Sequence, residues 1–329
     1  MLRRVLSIFE PFILMLVGTV VLASLLPPVG VFVQIFGGLA DVGIVLLFFL
    51  HGAKLSREAI LDGARNWRLH LAVFAATYVL FPVLGLGFSA IPGLAAPVAT
   101  GILFLALLPS TVQSSIAFTA IAGGNVAAAV CSASLSNLIG VVLTPALVAL
   151  LMHGAVGSGG VSLEAVQTIL LQLLLPFVVG HLLRPVIGSW VQRNKKLVTV
   201  VDRGSILLVV YTAFGAAVVE GLWHRLTGLD LAMIVALCSV LLAIVLTATW
   251  GTARLMRFSR QDAIVLLFCG SKKSLASGVP MAGVLFAPSQ VGLIILPLML
   301  FHQLQLIACA IIARRLAENG GAEAAPAKG

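Results

Sequence analysis

Charged side chains are nearly missing from this 329-residue chain: Asp, Glu, Lys and Arg make up 9% of it, against 60% hydrophobic residues. A soluble fold of this length needs a larger polar shell, so a soluble protein is excluded. The mean hydropathy of +1.16 says the same. Cysteine is also sparse. Cys131, Cys238, Cys269 and Cys309 lie singly in apolar runs, without CxxC or metal-like spacing, and read as small core residues. Catalytic signatures are absent too: no HExxH, no paired catalytic aspartates and no Ser/His constellation at matching depth, which argues against an enzyme. The net charge of +9 then concerns membrane orientation, not nucleic acid.

What the chain does have is a nearly unbroken series of apolar runs. A span needs about 20 mostly apolar residues, and ten can be drawn at roughly 8–27, 31–52, 69–91, 97–122, 125–152, 164–186, 198–220, 229–254, 261–286 and 290–314. The first follows Arg3 and Arg4 as a signal peptide would, but without a clear cleavage site, and reads as a retained anchor. With ten spans, 17 of the 20 Lys and Arg fall on one side, and only Arg225 falls in an opposite loop. The basic side is cytoplasmic by the positive-inside rule, so both termini are expected inside an inner or plasma membrane. The final "AENGGAEAAPAKG" reads as a polar, disordered tail over residues 317–329.

Ten spans divide into two sets of five, and an odd-numbered repeat sets the halves in opposite orientation, as in many secondary transporters. "DVGIVLLFF" from Asp41 matches "DRGSILLVV" from Asp202, and "EPFILMLVG" from Glu10 matches "LPFVVGHLL" from Leu175. Both pairs fall in equivalent spans.

Polar residues interrupt the apolar body where such a repeat puts a binding site. Span four carries "LLPSTVQSSIAFT", in which Pro109 breaks the helix and Ser110, Thr111, Gln113, Ser114 and Ser115 follow. Its equivalent, span nine, carries "FCGSKKSLASG" with Ser271, Lys272, Lys273, Ser274 and Ser277 after Gly270. Span five adds Ser132, Ser134, Ser136 and Asn137; span ten adds His302, Gln303 and Gln305. Singly, such hydroxyls bond back to their own helix or pack against neighbours, and His302 with Gln303 is either an interhelical pair or part of the site. The lysines differ in kind. A charge at the bilayer centre costs on the order of 3 kcal/mol, and each lysine lies roughly 15 Å from either end of its span, too deep to snorkel easily. Asp41, ten residues into span two, is either their counter-ion or a polar contact at a kink beside "FGG".

Three of these stretches, "LLPSTVQSSIAF", "LSNLIGVVLTP" and "GSKKSLASGVPMA", resemble the bile acid:sodium symporters (solute carrier family ten) of the bile/arsenite/riboflavin transporter group. The last resembles most their SBF-like branch, which includes the vertebrate seventh member, and the resemblance covers roughly residues 8–316. It implies one transporter domain over 1–316: an all-α, ten-helix fold of two inverted five-helix repeats. The implied panel covers about 1–66 and 160–226, and the core about 67–159 and 227–316, with crossed broken helices four and nine in the core. Thr77, five residues before Pro82, and the hydroxyls from Ser132 to Ser136 match sodium-ligand positions. Ser114 and Ser115 stand where the sodium-coupled branch has Ser-Asn, Phe268 where it has a shared glutamate, and Lys272 and Lys273 where it has glutamine and asparagine.

The expected function is secondary transport of a small organic anion by alternating access, with Na⁺ or H⁺ as coupling ion and no resident cofactor. One alternative is a sodium-independent, proton-coupled carrier or exchanger in which an ammonium group replaces bound sodium; another is a membrane regulator of ion or calcium handling. The orientation is directly testable. A fluorescent-protein fusion at the C-terminus should glow and a periplasmic phosphatase fusion there should stay inactive; the reverse pattern would overturn the ten-span count.

Overall fold

The computed structural model describes residues 11–54, 66–152, 167, 170–221, 223 and 227–323. Arg3, Arg4, Glu10 and Arg225 lie outside these residues. Every regular element among the described residues is a helix. α1 (Pro11–Leu25) and α2 (Val31–Lys54) come first. α3 (Trp67–Ala75) runs through a π-helical turn (Ala76–Leu80) into α4 (Phe81–Ser89). α5 (Ala96–Leu107) is broken from α6 (Gln113–Ile121), and α7 (Val126–Leu151) follows. A second π-helical turn (Leu170–Leu174) leads into α8 (Leu175–Arg193), and Asn194 alone separates that helix from α9 (Lys195–Val219). α10 (Gly228–Leu255), α11 (Arg260–Gly270), α12 (Leu275–Leu285) and α13 (Pro288–Glu323) complete the order.

Seven stretches among the described residues are long and apolar enough to cross a bilayer, and Leu14–Leu25 and Ala96–Leu107 are shorter apolar helices. Large apolar side chains such as Val42, Val83, Val142, Val186 and Val200 are exposed on them. In water such a surface would promote aggregation, whereas against lipid tails it is the expected exterior. The chain is a multi-pass membrane protein.

Two boundaries differ from the sequence reading. The sixth span, drawn to residue 186 because Arg184 and Pro185 look like its end, continues as helix to Arg193 with Pro185 inside it. Half-buried Arg184 does not stop the helix, since an arginine can lay its long stem on apolar surface and reach toward water with its head. The last helix continues through Glu323, so 317–323 are helical where a tail was expected; Ala317, Glu318 and Ala322 favour this, being strong helix formers.

The chain divides into two compact units, one of residues 1–55, 149–231 and 278–296, the other of 56–148, 232–277 and 297–329. In the first, α2 packs on α8 and α9, and α9 on α1. The α2–α8 contact is backbone to backbone. A Cβ on Gly52 would sit 2.0 Å from the Phe177 carbonyl oxygen, and one on Gly180 would sit 2.0 Å from that of Phe49. Small residues let membrane helices approach this closely, and dispersion then holds them where hydrophobicity gives no drive. Lys54 forms an ion pair with Asp202 across α2 and α9.

In the second unit, α11 packs on α3 and α6, and α4 packs on α5. Three helix starts converge on one carboxylate. Asp262 accepts from Asn66 Nδ2 at the start of α3 (3.2 Å) and from Asn125 Nδ2 at the start of α7 (3.1 Å), while its own N–H donates to the cap Ser259 Oγ (3.1 Å). Positive helix ends around an anion attract it, which fixes these three starts together.

Alanine at Gly52 or Gly180 should force α2 from α8 and cost about 1–3 kcal/mol or more, seen as a lower melting temperature in detergent. Gly87→Ala, whose Cβ would meet nothing within 4 Å, should not. Equal behaviour of the variants would refute the backbone contact.

Candidate functional site

Two helix breaks meet inside the second unit. The first has a simple cause: Pro109 lacks an N–H and pushes the residue before it out of helical conformation, so Leu108 is extended at φ −76°, ψ 156°. The second falls at residues 271–274, after Gly270 ends α11. A broken helix frees backbone groups, and at membrane depth water is not there to satisfy them. Other segments of the same unit do so instead.

At the first break, Thr144 Oγ1 donates to the Leu107 carbonyl (2.8 Å), Ser274 N to the Pro109 carbonyl (2.9 Å), and Asn137 Nδ2 to the Ser110 carbonyl (2.8 Å). Ser110 N donates to Ser136 Oγ (3.0 Å). At the second break, Ser110 Oγ donates to the Cys269 carbonyl (2.6 Å) and Ser115 Oγ to the Phe268 carbonyl (3.0 Å). Gln305, fully buried on α13, clamps Lys273 from both sides: its Oε1 accepts from Lys273 N (2.9 Å) and its Nε2 donates to the Lys273 carbonyl (3.0 Å). Each break thus supplies donors to the other.

Lys273 completes this arrangement. Its Nζ donates to the carbonyls of Leu108 (2.6 Å), Ala106 (2.8 Å) and Thr77 (2.9 Å). Ala106 and Leu108 lie at the end of α5, where carbonyls have no helical partner. Thr77 is freed by the π-helical turn, because Phe81 N donates five residues back to Ala76 instead of four back to Thr77. Three carbonyls need three N–H donors, which only the protonated amine has. The ring of Phe81 lies 4.1 Å from the same Nζ, giving the cation an aromatic face as well. Lys273 is a cation fixed among backbone oxygens.

Lys272 is placed differently. It is fully buried, yet among the described residues its Nζ has no hydrogen-bond partner. It lies over two aromatic faces, 4.1 Å from the Phe118 centroid and 5.2 Å from that of Phe268. No carboxylate pairs with either lysine among the described residues. The adjacent lysines, alike in sequence, therefore have opposite circumstances.

Of the other expected site residues, Thr77, Ser110, Thr111, Ser114, Ser115, Ser136, Asn137 and Ser274 come together around the breaks. Thr111 Oγ1 bonds to Ser114 Oγ (2.6 Å) and Ser115 Oγ (3.1 Å); Ser277 Oγ donates to Asn137 Oδ1 (2.9 Å). Ser271 Oγ bonds back to the Leu267 carbonyl within its own helix. Ser132 pairs with His70 Nδ1 instead (2.8 Å), and His302 Nδ1 accepts from Gln305 Nε2 (2.8 Å). Gln113 is exposed and Ser134 and Gln303 half-buried, without side-chain hydrogen bonds among the described residues. Gln305 does what was weighed for Gln303; two positions on a helix are about 200° apart, and Gln305 is the one that shares a face with His302 three residues before it. Asp41 is exposed and has no ion pair among the described residues. Tyr78, whose hydroxyl donates to the Ser136 carbonyl (2.6 Å), and Thr144 were missed, since neither breaks the apolar pattern.

Replacing Lys273 with Met should strand three carbonyls at about 1–3 kcal/mol each, and lower the melting temperature more than Gln305→Leu, which strands two backbone groups. An unchanged melting temperature for Lys273→Met would show that the ammonium does not hold the breaks together.

The sequence that builds this site has counterparts among known proteins. The SBF-like CPA transporter family matches residues 10–318. The chain is 56% identical over 315 residues to "Uncharacterized protein PA2026" of Pseudomonas aeruginosa, covering 94% of this chain and 93% of that one. It is 55% identical over 316 residues to "Putative symporter YfeH" of Escherichia coli (strain K12), covering 95% and 94%. At 26% identity over 281 residues it matches "Sodium/bile acid cotransporter 7" of Rattus norvegicus, covering 82% and 81%. These are transporters by family and not enzymes. With a match running almost from end to end and through both helix breaks, the chain belongs to the SBF-like CPA transporter family.

Proposed function

We propose that this protein is a secondary carrier of small organic anions that works by alternating access without sodium, driven by protons or by exchange. The observation that carries this is the position of Lys273 Nζ, held by three backbone carbonyls at 2.6–2.9 Å. Backbone oxygens freed by broken helices are what transporters use to coordinate Na⁺ at midplane. Here a tethered ammonium takes those oxygens, and among the described residues no carboxylate pairs with it to complete a site for a metal cation. Sodium and bile acid, in the printed name of the rat relative, are therefore not carried over to this chain.

The proposal includes ten membrane spans in two inverted halves, both termini in the cytoplasm, and the broken segments crossing. Three features support it: the described helices can be grouped into the ten apolar segments drawn from the sequence, the breaks fall in the fourth and ninth of these, and repeat-related stretches touch. A Cβ on Gly43, in the "DVG" stretch, would lie 3.0 Å from Ser205 Oγ, beside the "DRG" stretch.

The test is to melt the purified protein in NaCl, KCl and choline chloride at equal ionic strength, and to measure radiolabelled sodium uptake into proteoliposomes. Sodium-specific stabilisation is a mass-action signature of a bound ion. The expected result is the same melting temperature in all three salts and sodium uptake no faster than in empty vesicles. A sodium-specific rise would restore the sodium symport reading.

A further inference from the structure

Resting on the reading of the protein as an anion carrier, we infer that Lys272 is the group that binds the anion, and that the faces of Phe118 and Phe268 hold its ammonium while the site is empty. The substrate class that follows is the monoanion, a single carboxylate per binding event.

The argument begins with an imbalance. Lys272 Nζ is buried from solvent and has no acceptor among the described residues, in a unit where the neighbouring lysine has three. Burying an ammonium without a hydrogen-bonded partner is costly. Aromatic faces at 4.1 and 5.2 Å return only part of that. The structure therefore tolerates at this point a charge that a methionine of similar length would avoid. A residue kept against stability marks a place where function sets the choice.

The surroundings say what the charge could meet. Ser114 and Ser115 lie four and three residues before Phe118 on α6, so they share its face one turn toward the start of that helix. Ser115 is tied to the carbonyl of Phe268, whose ring is the other face beneath Lys272. Phe118, whose ring lies against the ammonium, thus stands one helical turn from a hydroxyl cluster of Thr111, Ser114 and Ser115 at the first turn of α6. Four rotatable bonds let a lysine leave the ring and swing toward that turn. Once there, it faces hydroxyl donors and the positive end of a helix, a setting that favours a negative ligand. With Lys273 committed to three carbonyls, a single ammonium remains for the substrate. One charge matches one carboxylate; a second carboxylate would be buried without a partner.

The experiment uses the full-length protein in detergent. Its melting temperature is followed as acetate, pyruvate and benzoate, and separately succinate and citrate, are titrated at constant ionic strength. The wild type should be stabilised by monocarboxylates and less by the di- and tricarboxylates. Lys272→Met should melt higher than wild type without any anion, having lost a buried unpaired charge, and should bind the monocarboxylates about ten- to a hundredfold more weakly, the loss of one charge-assisted hydrogen bond. Phe118→Leu retains the ammonium and removes one resting face, so its monocarboxylate binding should be tighter than wild type; unchanged or weaker binding would overturn the resting role of the ring, which keeps the idea testable should Lys272→Met fail to fold. If Lys272→Met binds the anions as wild type does, or melts lower without them, Lys272 is a structural cation and the inference is overturned. Equal or greater stabilisation of wild type by citrate overturns the monoanion class. A wild type that responds to none of these anions instead overturns the carrier reading on which the inference stands.

Discussion

Backbone N–H and C=O groups in the middle of a bilayer have no water to bond with, so a helix that breaks there must find its partners in protein. Two helices break in one unit of this protein, and each is satisfied largely by the other, by serine hydroxyls, by Asn137 and by Gln305. The centre of that exchange is the Lys273 ammonium, which binds oxygens from the end of α5 and from the π-helical turn before α4. The rest of the arrangement depends on it. Without that cation, three carbonyl dipoles would converge on a void, and the breaks that give the unit its polar interior would be sources of instability.

A cation supplied by the chain differs from one supplied by solution. It is always present, it cannot leave with the substrate, and its affinity is not set by an ion gradient. Its covalent tether removes the association entropy that a free ion must overcome each time it binds. The cost is general: a carrier built on a tethered cation gives up the gradient of the ion it replaces as an energy source. The two lysines divide accordingly: the amine of Lys273 is used up among backbone oxygens, and that of Lys272 is left against aromatic faces.

Much of this was legible in the letters. Pro109 announced its break, since no other residue both lacks a donor and displaces the residue before it, and two lysines in an apolar run could not pass for packing. The sequence could not say which lysine does what. Their neighbours along the chain are the same, and the difference arises only from what the fold brings against each: carbonyls from residues 77, 106 and 108 for one, the rings of residues 118 and 268 for the other. Gln305 was visible as a polar residue but not as the partner of a break 32 residues earlier. Thr144 and Tyr78 were invisible, because one threonine or tyrosine does not interrupt an apolar helix. The sixth span was misplaced for a related reason: an arginine and a proline look like an ending, although helices tolerate both when the charged head has an exit and the proline's missing bond is absorbed.

The π-helical turn at Ala76–Leu80 leaves a trace that can be read in other sequences. It holds one residue more than an α-helix would need, and that surplus is what frees the carbonyl of Thr77 for Lys273. A regular helix over this stretch, with Phe81 N bonded four residues back to Thr77, would take that oxygen for itself and leave the ammonium one acceptor short. The surplus residue in one helix and a lysine almost two hundred positions later are thus two halves of one arrangement, and neither has its partner without the other.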